Sequence, residues 1–378
     1  MSYKVSVLGA GRIGGAIASF CTELGMEVTA VDPNKAQLDR VQNCSHVRCE
    51  DPVNNTKVLH DIFDNSDVTV CALPGAMGNF IVGQAAEYGT RLVDISYAPE
   101  DSHDAWNETA IAHGAQIVID IGVAPGIANV YIGRAIDWFD EVHNAAYYVG
   151  GLPVIRRKPF EYTATWSPAD IIEEYTRPAR YKEFNTIKSM EVFSDLELMD
   201  IPGVGTVEAF STDGLRTLLT STDIPNLKEK TLRWPGHAKL ITMLRDIGLF
   251  NKNVISAGPY RVTPRYVAEA LLKDQWKPEE DDPDFTVLKV EAEGIYQGKK
   301  SKVEYFLKVE SDQEYSSMAL STGWPAAIAA YMMCEGKFFK GVCRPEVIGM
   351  DPKLFRPFEA DLRGVGLYVS QSIKEIES

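Results

Sequence analysis

Gly9, Gly11 and Gly14 stand at the G-x-G-x-x-G spacing inside VLGAGRIGGAIA, and Asp32 follows 23 positions after Gly9. This set can hold a dinucleotide, and each member has a physical job. Gly9 permits the sharp turn, Gly11 lets the backbone approach a pyrophosphate, and Gly14 lets a helix pack close to a strand. Free N–H groups at the helix start, where Arg12 and Ile13 stand, bind the phosphates. Asp32 would accept hydrogen bonds from the adenosine ribose, and its charge would repel a 2′-phosphate, which favours NAD over NADP. The competing readings are a flavin or a degenerate turn that binds nothing.

A second set lies downstream. VEAFSTDGLRTL carries Glu208, Thr212, Asp213 and Arg216, and KTLRWPGHAKL carries Lys230, Arg233 and His237. YYVGGLP reads as a strand that breaks into a tight loop at Gly150, Gly151 and Pro153. Each has a plain structural alternative: Arg233 as a solvated strand residue, His237 as a helix-start residue after Pro235-Gly236. The six histidines are scattered, without H-E-x-x-H or a Cys/His cluster, so no metal site is expected.

The elements that must position these residues follow from periodicity. YKVSVLG, MEVTAVD, HVRCED, DVTVCALP, RLVDIS and AQIVIDIG read as strands. RIGGAIASFCTELG, NKAQLDRVQ, TKVLHDIFDN, GNFIVGQAAEYG and SHDAWNETAIAHG read as helices between them. This alternation predicts an α/β fold, an N-terminal Rossmann domain with a doubly wound parallel sheet over residues 1–126. Ligands belong at the carboxyl ends of its strands, which adds Ala72, Leu73, Pro74 and Ser96 to the expected cofactor contacts. From Ile127 the texture changes, and residues 127–378 are predicted to form a second, α+β domain on a mostly antiparallel sheet. NAAYYVGGLP, FEYTATW and EKTLRW read as strands, and DFTVLKVEAEGIYQGKKSKVEYFLKVES as a hairpin turning at QGKK. GHAKLITMLRDIG and PRYVAEALLKDQW read as helices. The helix PAAIAAYMMCEG from Pro325 is apolar nearly all round, which suits deep burial or packing back on the first domain.

The combination resembles the saccharopine dehydrogenase-like family, and within it the bacterial lysine 6-dehydrogenases. The resemblance spans nearly the whole chain and is carried by GAGRIGGAIA, VDIS, IDIGVAPGIANV, YYVGGLP, EYTRPA, EAFSTDGLRTL, KTLRWPGHAKL and STGWPAAIA, with the tyrosine and tryptophan of FEYTATWS. It implies a Rossmann domain, a second domain that binds substrate and forms a homodimer, and NAD(P)-dependent oxidation at an amine-bearing carbon. Ala124 stands where saccharopine reductases usually have an acid before Pro125-Gly126, which argues against the saccharopine reaction. The SYAP loop holds Tyr97 where some lysine 6-dehydrogenases are glycine-rich.

Under this resemblance the chemistry needs a neutral amine, a hydride acceptor and a base with a pKa near working pH. His237 fits the base by type, and Tyr97 could relay a proton or orient the amine. Asp94 and Asp120 could hold an ammonium, their alternative being loop capping. Arg233 is the expected fork for an α-carboxylate. Glu208, Thr212, Asp213, Arg216 and Gly150 complete the expected substrate side. L-lysine, losing its ε-amine to a semialdehyde that cyclises, is the first substrate. The alternatives are an imine-reducing enzyme of the saccharopine reductase or carboxynorspermidine dehydrogenase type, acting on a polyamine-like substrate, and a non-catalytic NAD-binding sensor.

Composition bounds the rest. The 378 residues are 45% hydrophobic and 24% charged, ordinary for a globular protein of two domains. A net charge of −15 argues against nucleic-acid and anionic-membrane partners. No apolar run has transmembrane length, and because a strand pattern starts almost at once no signal peptide is expected. Cys21, Cys44, Cys49, Cys71, Cys334 and Cys343 form no C-x-x-C and suit reduced thiols in a cytoplasm.

Overall fold

The computed structural model describes residues 2–97, 101–164, 167–279 and 282–376. Its first elements are β1 (Lys4–Leu8), α1 (Arg12–Glu23), β2 (Glu27–Val31), α2 (Lys35–Leu38), β3 (His46–Arg48), α3 (Thr56–Asp64), β4 (Val68–Cys71), α4 (Gly75–Tyr88), β5 (Arg91–Asp94), α5 (Asp101–His113), β6 (Gln116–Val118) and α6 (Ile127–Trp138). There follow β7 (Glu141–Pro153), α7 (Pro168–Glu174), β8 (Ala179–Glu183), β9 (Thr186–Met190), β10 (Glu197–Ile201), β11 (Gly205–Phe210), α8 (Leu218–Ser221), β12 (Asn226–Arg233) and α9 (His237–Asp246). The rest are β13 (Ile255–Ala257), β14 (Tyr260–Val262), α10 (Pro264–Gln275), β15 (Asp284–Tyr296), β16 (Lys299–Glu310), α11 (Ser317–Cys334), β17 (Gly341–Cys343), α12 (Pro345–Met350), α13 (Pro352–Gly364) and β18 (Ser370–Glu375).

The chain divides into two compact units. The first holds everything up to Val142, Gly294–Leu307 and the chain from Met318 onward; the second holds His143–Glu293 and Lys308–Ser317. The helix α6 lies in the first unit.

The first unit is built on a seven-stranded sheet in the order β17-β6-β5-β4-β1-β2-β3, parallel throughout. Its central strands are apolar on both faces because helices cover both; every residue of β4 is buried. Gly25 at φ +80° and Gly89 at φ +82° stand just beyond α1 and α4, where a left-handed residue closes a helix without a Cβ clash. NKAQLDRVQ yields only the four-residue α2, because Leu38 alone is buried there and one apolar contact does not sustain a longer helix. At the other edge β17 adds a strand beside β6 that the sequence pattern did not reveal. Helix α11 starts eight residues before Pro325, which lies inside it. Its Trp324 stacks on Phe20 of α1 with ring centroids 4.2 Å apart.

The other large sheet is mixed and runs in the order β10-β11-β12-β7-β15-β16-β18, with β8 and β9 attached through β12. The β12–β7 pair is parallel, whereas β10–β11, β11–β12 and β8–β9 are antiparallel. The hairpin β15–β16 turns at Gln297-Gly298, both at positive φ, as QGKK suggested. Two expectations fail locally. YYVGGLP does not break into a loop: β7 runs on through Pro153. FEYTATW forms no strand over residues 160–164, although Tyr162 and Ala164 are buried in alternation. The Ala164 N–H donates to the Trp276 carbonyl at 2.7 Å, just beyond the end of α10, so this segment meets a helix end and not a strand edge. Thr165 and Trp166 lie outside the described residues.

All six cysteines are free thiols. Among the described residues, no helix is long and apolar enough to cross a membrane, and no group of three His, Cys, Asp or Glu side chains could hold a metal ion.

Candidate active site

In the first unit the glycine turn joins β1 to α1. Gly9 adopts φ +92°, and a Cβ there would lie 2.7 Å from the Ala72 carbonyl. A Cβ on Gly14 would lie 2.0 Å from the Gly9 carbonyl, so α1 packs against the turn at a distance only glycine permits. Gly11 differs: no protein atom lies within 4 Å of its Cβ position, and no side chain caps the start of α1. The turn is therefore tight where it meets the fold and open where a pyrophosphate would lie, with Arg12 exposed and Ile13 half-buried beside it. Asp32 follows β2 and links two turns: its Oδ2 accepts from Ala10 N at 2.8 Å and its Oδ1 from Asn34 N at 2.7 Å. Each carboxylate oxygen keeps a further lone pair for a ribose hydroxyl. Ala72, Leu73 and Pro74 run from the end of β4 into α4, and Ala72 and Leu73 pack against the turn. These residues fit a dinucleotide.

Beyond β5, Ser96 donates its Oγ–H to Asp94 Oδ2 at 2.9 Å, and its N–H approaches the same oxygen at 3.3 Å. Asp94 is completely buried, and burial pushes its carboxyl up to about 6. Asp120 is buried as well, with its backbone at φ +54°. Both residues are buried, and Asp94 Oδ2 holds the Ser96 turn while its buried Oδ1 has no hydrogen-bond partner among the described residues. Ser96 is itself packed under α4, since a Cβ on Gly78 would lie 1.8 Å from its Oγ. Tyr97 is half-buried at φ +57°, a strained conformation for an aromatic residue.

In the second unit the downstream motifs converge on one buried polar cluster. Arg233 ends β12 and is only 4% exposed. Its Nε donates to the Tyr175 hydroxyl at 2.9 Å, one terminal nitrogen to the Leu232 carbonyl at 2.9 Å, and the other to Glu174 Oε2 at 3.3 Å. Its guanidinium also lies 4.7 Å from the Tyr162 ring centre. The fork expected for a substrate carboxylate is thus committed to the protein's own groups. His237, the first residue of α9, is 2% exposed. Its Nδ1 lies 3.0 Å from the Phe160 carbonyl, which can only accept, so Nδ1 carries the proton. Nε2 then accepts from the Tyr175 hydroxyl, also at 3.0 Å. Burial, seconded by the Arg233 charge, pushes the imidazole down to about 3. Both nitrogens of the imidazole that the sequence marked as the base are thus engaged by protein groups.

The other expected substrate residues also have structural partners. Glu208 pairs in register with Arg233 across β11–β12, and its carboxylate caps α9 by accepting from Gly236 N at 2.6 Å and Ala238 N at 3.0 Å. Thr212 bonds Glu229 through both its N–H and its hydroxyl. Asp213 takes a two-pronged bond from Arg180 at 2.6 and 3.0 Å. Arg216 is buried at φ +53°. Gly150 permits packing: a Cβ there would lie 2.6 Å from the Leu232 carbonyl on neighbouring β12. Sequence reasoning gave no role to Tyr175, Glu174 or Glu229. Tyr175 and Glu174 stand in the EYTRPA motif, which was a usable signal. Glu229 looked like one more alternating strand residue. It is wholly enclosed, and burial, reinforced by nearby Glu174, pushes its carboxyl up to about 8.

Comparison with known proteins places this arrangement. Residues 122–367 match the saccharopine dehydrogenase C-terminal domain, and residues 2–96 match the alanine dehydrogenase/PNT C-terminal domain. The chain belongs to the saccharopine dehydrogenase family. It is similar to the mitochondrial alpha-aminoadipic semialdehyde synthase of Mus musculus, at 22% identity over 277 residues, covering 67% of this chain and 29% of that protein. It is also similar to the saccharopine dehydrogenase [NADP(+), L-glutamate-forming] of Saccharomyces cerevisiae, at 24% identity over 212 residues, covering 52% of this chain and 47% of that protein. The chain thus spans less than a third of the mammalian relative and about half of the yeast one. The crystallised apo saccharopine dehydrogenase (L-Glu forming) of Saccharomyces cerevisiae shares the fold, with a TM-score of 0.81 over 99% of this chain and all of that one, at 18% identity.

Proposed function

We propose that the chain is an NAD-dependent oxidoreductase that oxidises the terminal amine of an amino acid, with L-lysine the first substrate, working as a cytoplasmic homodimer. The observation that carries the cofactor half is the open cradle at Gly11 beside a two-turn anchored Asp32. The family supports an amino acid as the partner molecule. When bound, the nicotinamide accepts a hydride from the amine-bearing carbon. Gly9–Gly14, Ala72, Leu73, Pro74 and Ser96 would hold the dinucleotide, and Asp32 its ribose. With His237 enclosed, Tyr97 is the proposed proton acceptor, and the Arg233–Tyr175–His237 cluster holds the second unit's core in shape. Ala124 before Pro125-Gly126 favours a simple amine over saccharopine.

A second reading keeps the same cofactor site and reverses the direction: an aldehyde condenses with an amine and the imine is reduced. The names of the matched relatives favour it. Incubating the protein with NAD and a panel of diamino acids, and following NADH absorbance, separates the two. NADH from lysine supports the first reading. No NADH from any amine, with NADPH consumed on adding aldehyde plus amine, establishes the second.

A further inference from the structure

Beside Asp32, the edge of the first unit's sheet carries an ion cluster whose balance is not neutral. The Asp32 N–H donates to the Arg48 carbonyl at 3.1 Å, so the end of β3 lies directly along the end of β2. The contact continues one step on, where the Cys49 thiol donates to the Pro33 carbonyl at 3.5 Å. Arg48 is the cation of this edge, and two carboxylates hold it. Glu50 Oε2 lies 2.5 Å from one terminal nitrogen and Asp61 Oδ2, from α3, lies 2.9 Å from the other. One guanidinium against two carboxylates leaves the cluster at −1, and Asp32 adds another negative charge next to it. The side chains are 28–55% exposed, so the cluster faces solvent at this edge and is not a sealed core pair.

Resting on the dinucleotide reading above, we propose that the Arg48–Glu50–Asp61 cluster is a second determinant of nucleotide choice. It withholds the one strand-end cation from a 2′-phosphate and adds a negative field behind Asp32. Asp32 discriminates by contact with the ribose. The cluster discriminates through space, over a range of about one Debye length, roughly 8–10 Å at moderate salt. A dianionic 2′-phosphate adds two charges to those of the pyrophosphate that NAD and NADP share, and it would lie nearer this edge, so the cluster weakens NADP more than NAD. Replacing both carboxylates by amides changes the cluster from −1 to +1 with little change in shape.

The test is isothermal titration of NAD and NADP into the full chain, wild type against Glu50→Gln/Asp61→Asn, at low and high salt, with thermal melts to verify folding. The NADP-to-NAD affinity ratio should rise about tenfold in the double variant at low salt and shrink toward wild type at high salt. Adding Arg48→Ala to the double variant takes the cluster from +1 to neutral and should remove about half of the gain on a logarithmic scale, whereas adding Lys35→Ala, on α2, should leave it. A ratio within twofold of wild type in the folded double variant overturns the proposal, as does a gain left undiminished by Arg48→Ala. Absence of NAD binding by wild type would overturn the underlying cofactor reading itself, a result distinct from NAD binding with an unchanged ratio.

Discussion

At Asp32, each carboxylate oxygen accepts one backbone N–H, from Ala10 or Asn34, and keeps further lone-pair capacity for a hydroxyl. Asp32→Ala should weaken NAD binding by roughly 1.5–3 kcal/mol for each charge-assisted bond lost and relax discrimination against NADP. A titration giving an unchanged NAD-to-NADP ratio would remove this residue from the specificity argument. The opposite case is His237. Both ring nitrogens are occupied and its imidazole is held neutral. Substituting Asn should leave kcat within a few-fold of wild type once the variant is shown to be folded. Tyr97→Phe should instead cut turnover by roughly two to four orders of magnitude, the size of a lost general base, with NAD affinity intact. The reverse pair of results, a silent Tyr97→Phe and a dead His237→Asn, returns the proton to the histidine.

At the scale of elements, the strand–helix junctions explain why neighbouring glycines are not equivalent. Gly14→Ala places a methyl 2.0 Å from the Gly9 carbonyl, so α1 must lift off β1 and the melting temperature should fall together with NAD affinity. Gly11→Ala meets no protein atom. Its melting temperature should stay put while NAD affinity falls at least tenfold, because the methyl projects into the cradle. Equal losses in both variants, or neither, would contradict the division between packing and ligand approach. In the second unit, α9 begins with a buried start capped from a neighbouring strand by Glu208. Glu208→Ala should cost about 1–3 kcal/mol, since two helix-start N–H groups, that of Ala238 buried, lose their acceptor, read as a shift in the denaturant midpoint.

For the whole molecule, buried ionisable groups set how stability depends on pH. The Glu229 carboxyl rises from 4.5 to about 8 on folding, so its favourable contribution is complete below 4.5 and is lost as pH rises through 8. Asp94, raised from 3.8 to about 6, loses its contribution over a lower window in the same direction. His237 runs the other way: lowered from 6.5 to about 3, it supports the fold above 6.5 and that support is lost as pH falls toward 3. Glu229→Gln cannot ionise. Its melting temperature relative to wild type should therefore climb between about pH 5 and 9, corresponding to roughly 1–3 kcal/mol. A constant difference across that range would show that Glu229 does not carry a proton in the folded chain.

Much of this organisation was legible in the linear chain, for identifiable reasons. The G-x-G-x-x-G turn with Asp32, the parallel strand–helix alternation and the β15–β16 hairpin are local patterns. Each needs only a turn, a period or a few consecutive residues to declare itself. The late motifs EAFSTDG and KTLRWPGH marked where polar groups gather, yet their residue types alone suggested an open substrate site. Only the folded chain shows which partners those groups have. Arg233, His237 and Glu208 meet Tyr175, Glu174, Phe160 and the α9 start across long separations, and a side chain's freedom to act depends on whether such partners have already used its donors and acceptors. Glu229 makes the same point in reverse: one more acid in an alternating strand by sequence, it became a proton-holding group because tertiary packing removed the water that would have ionised it.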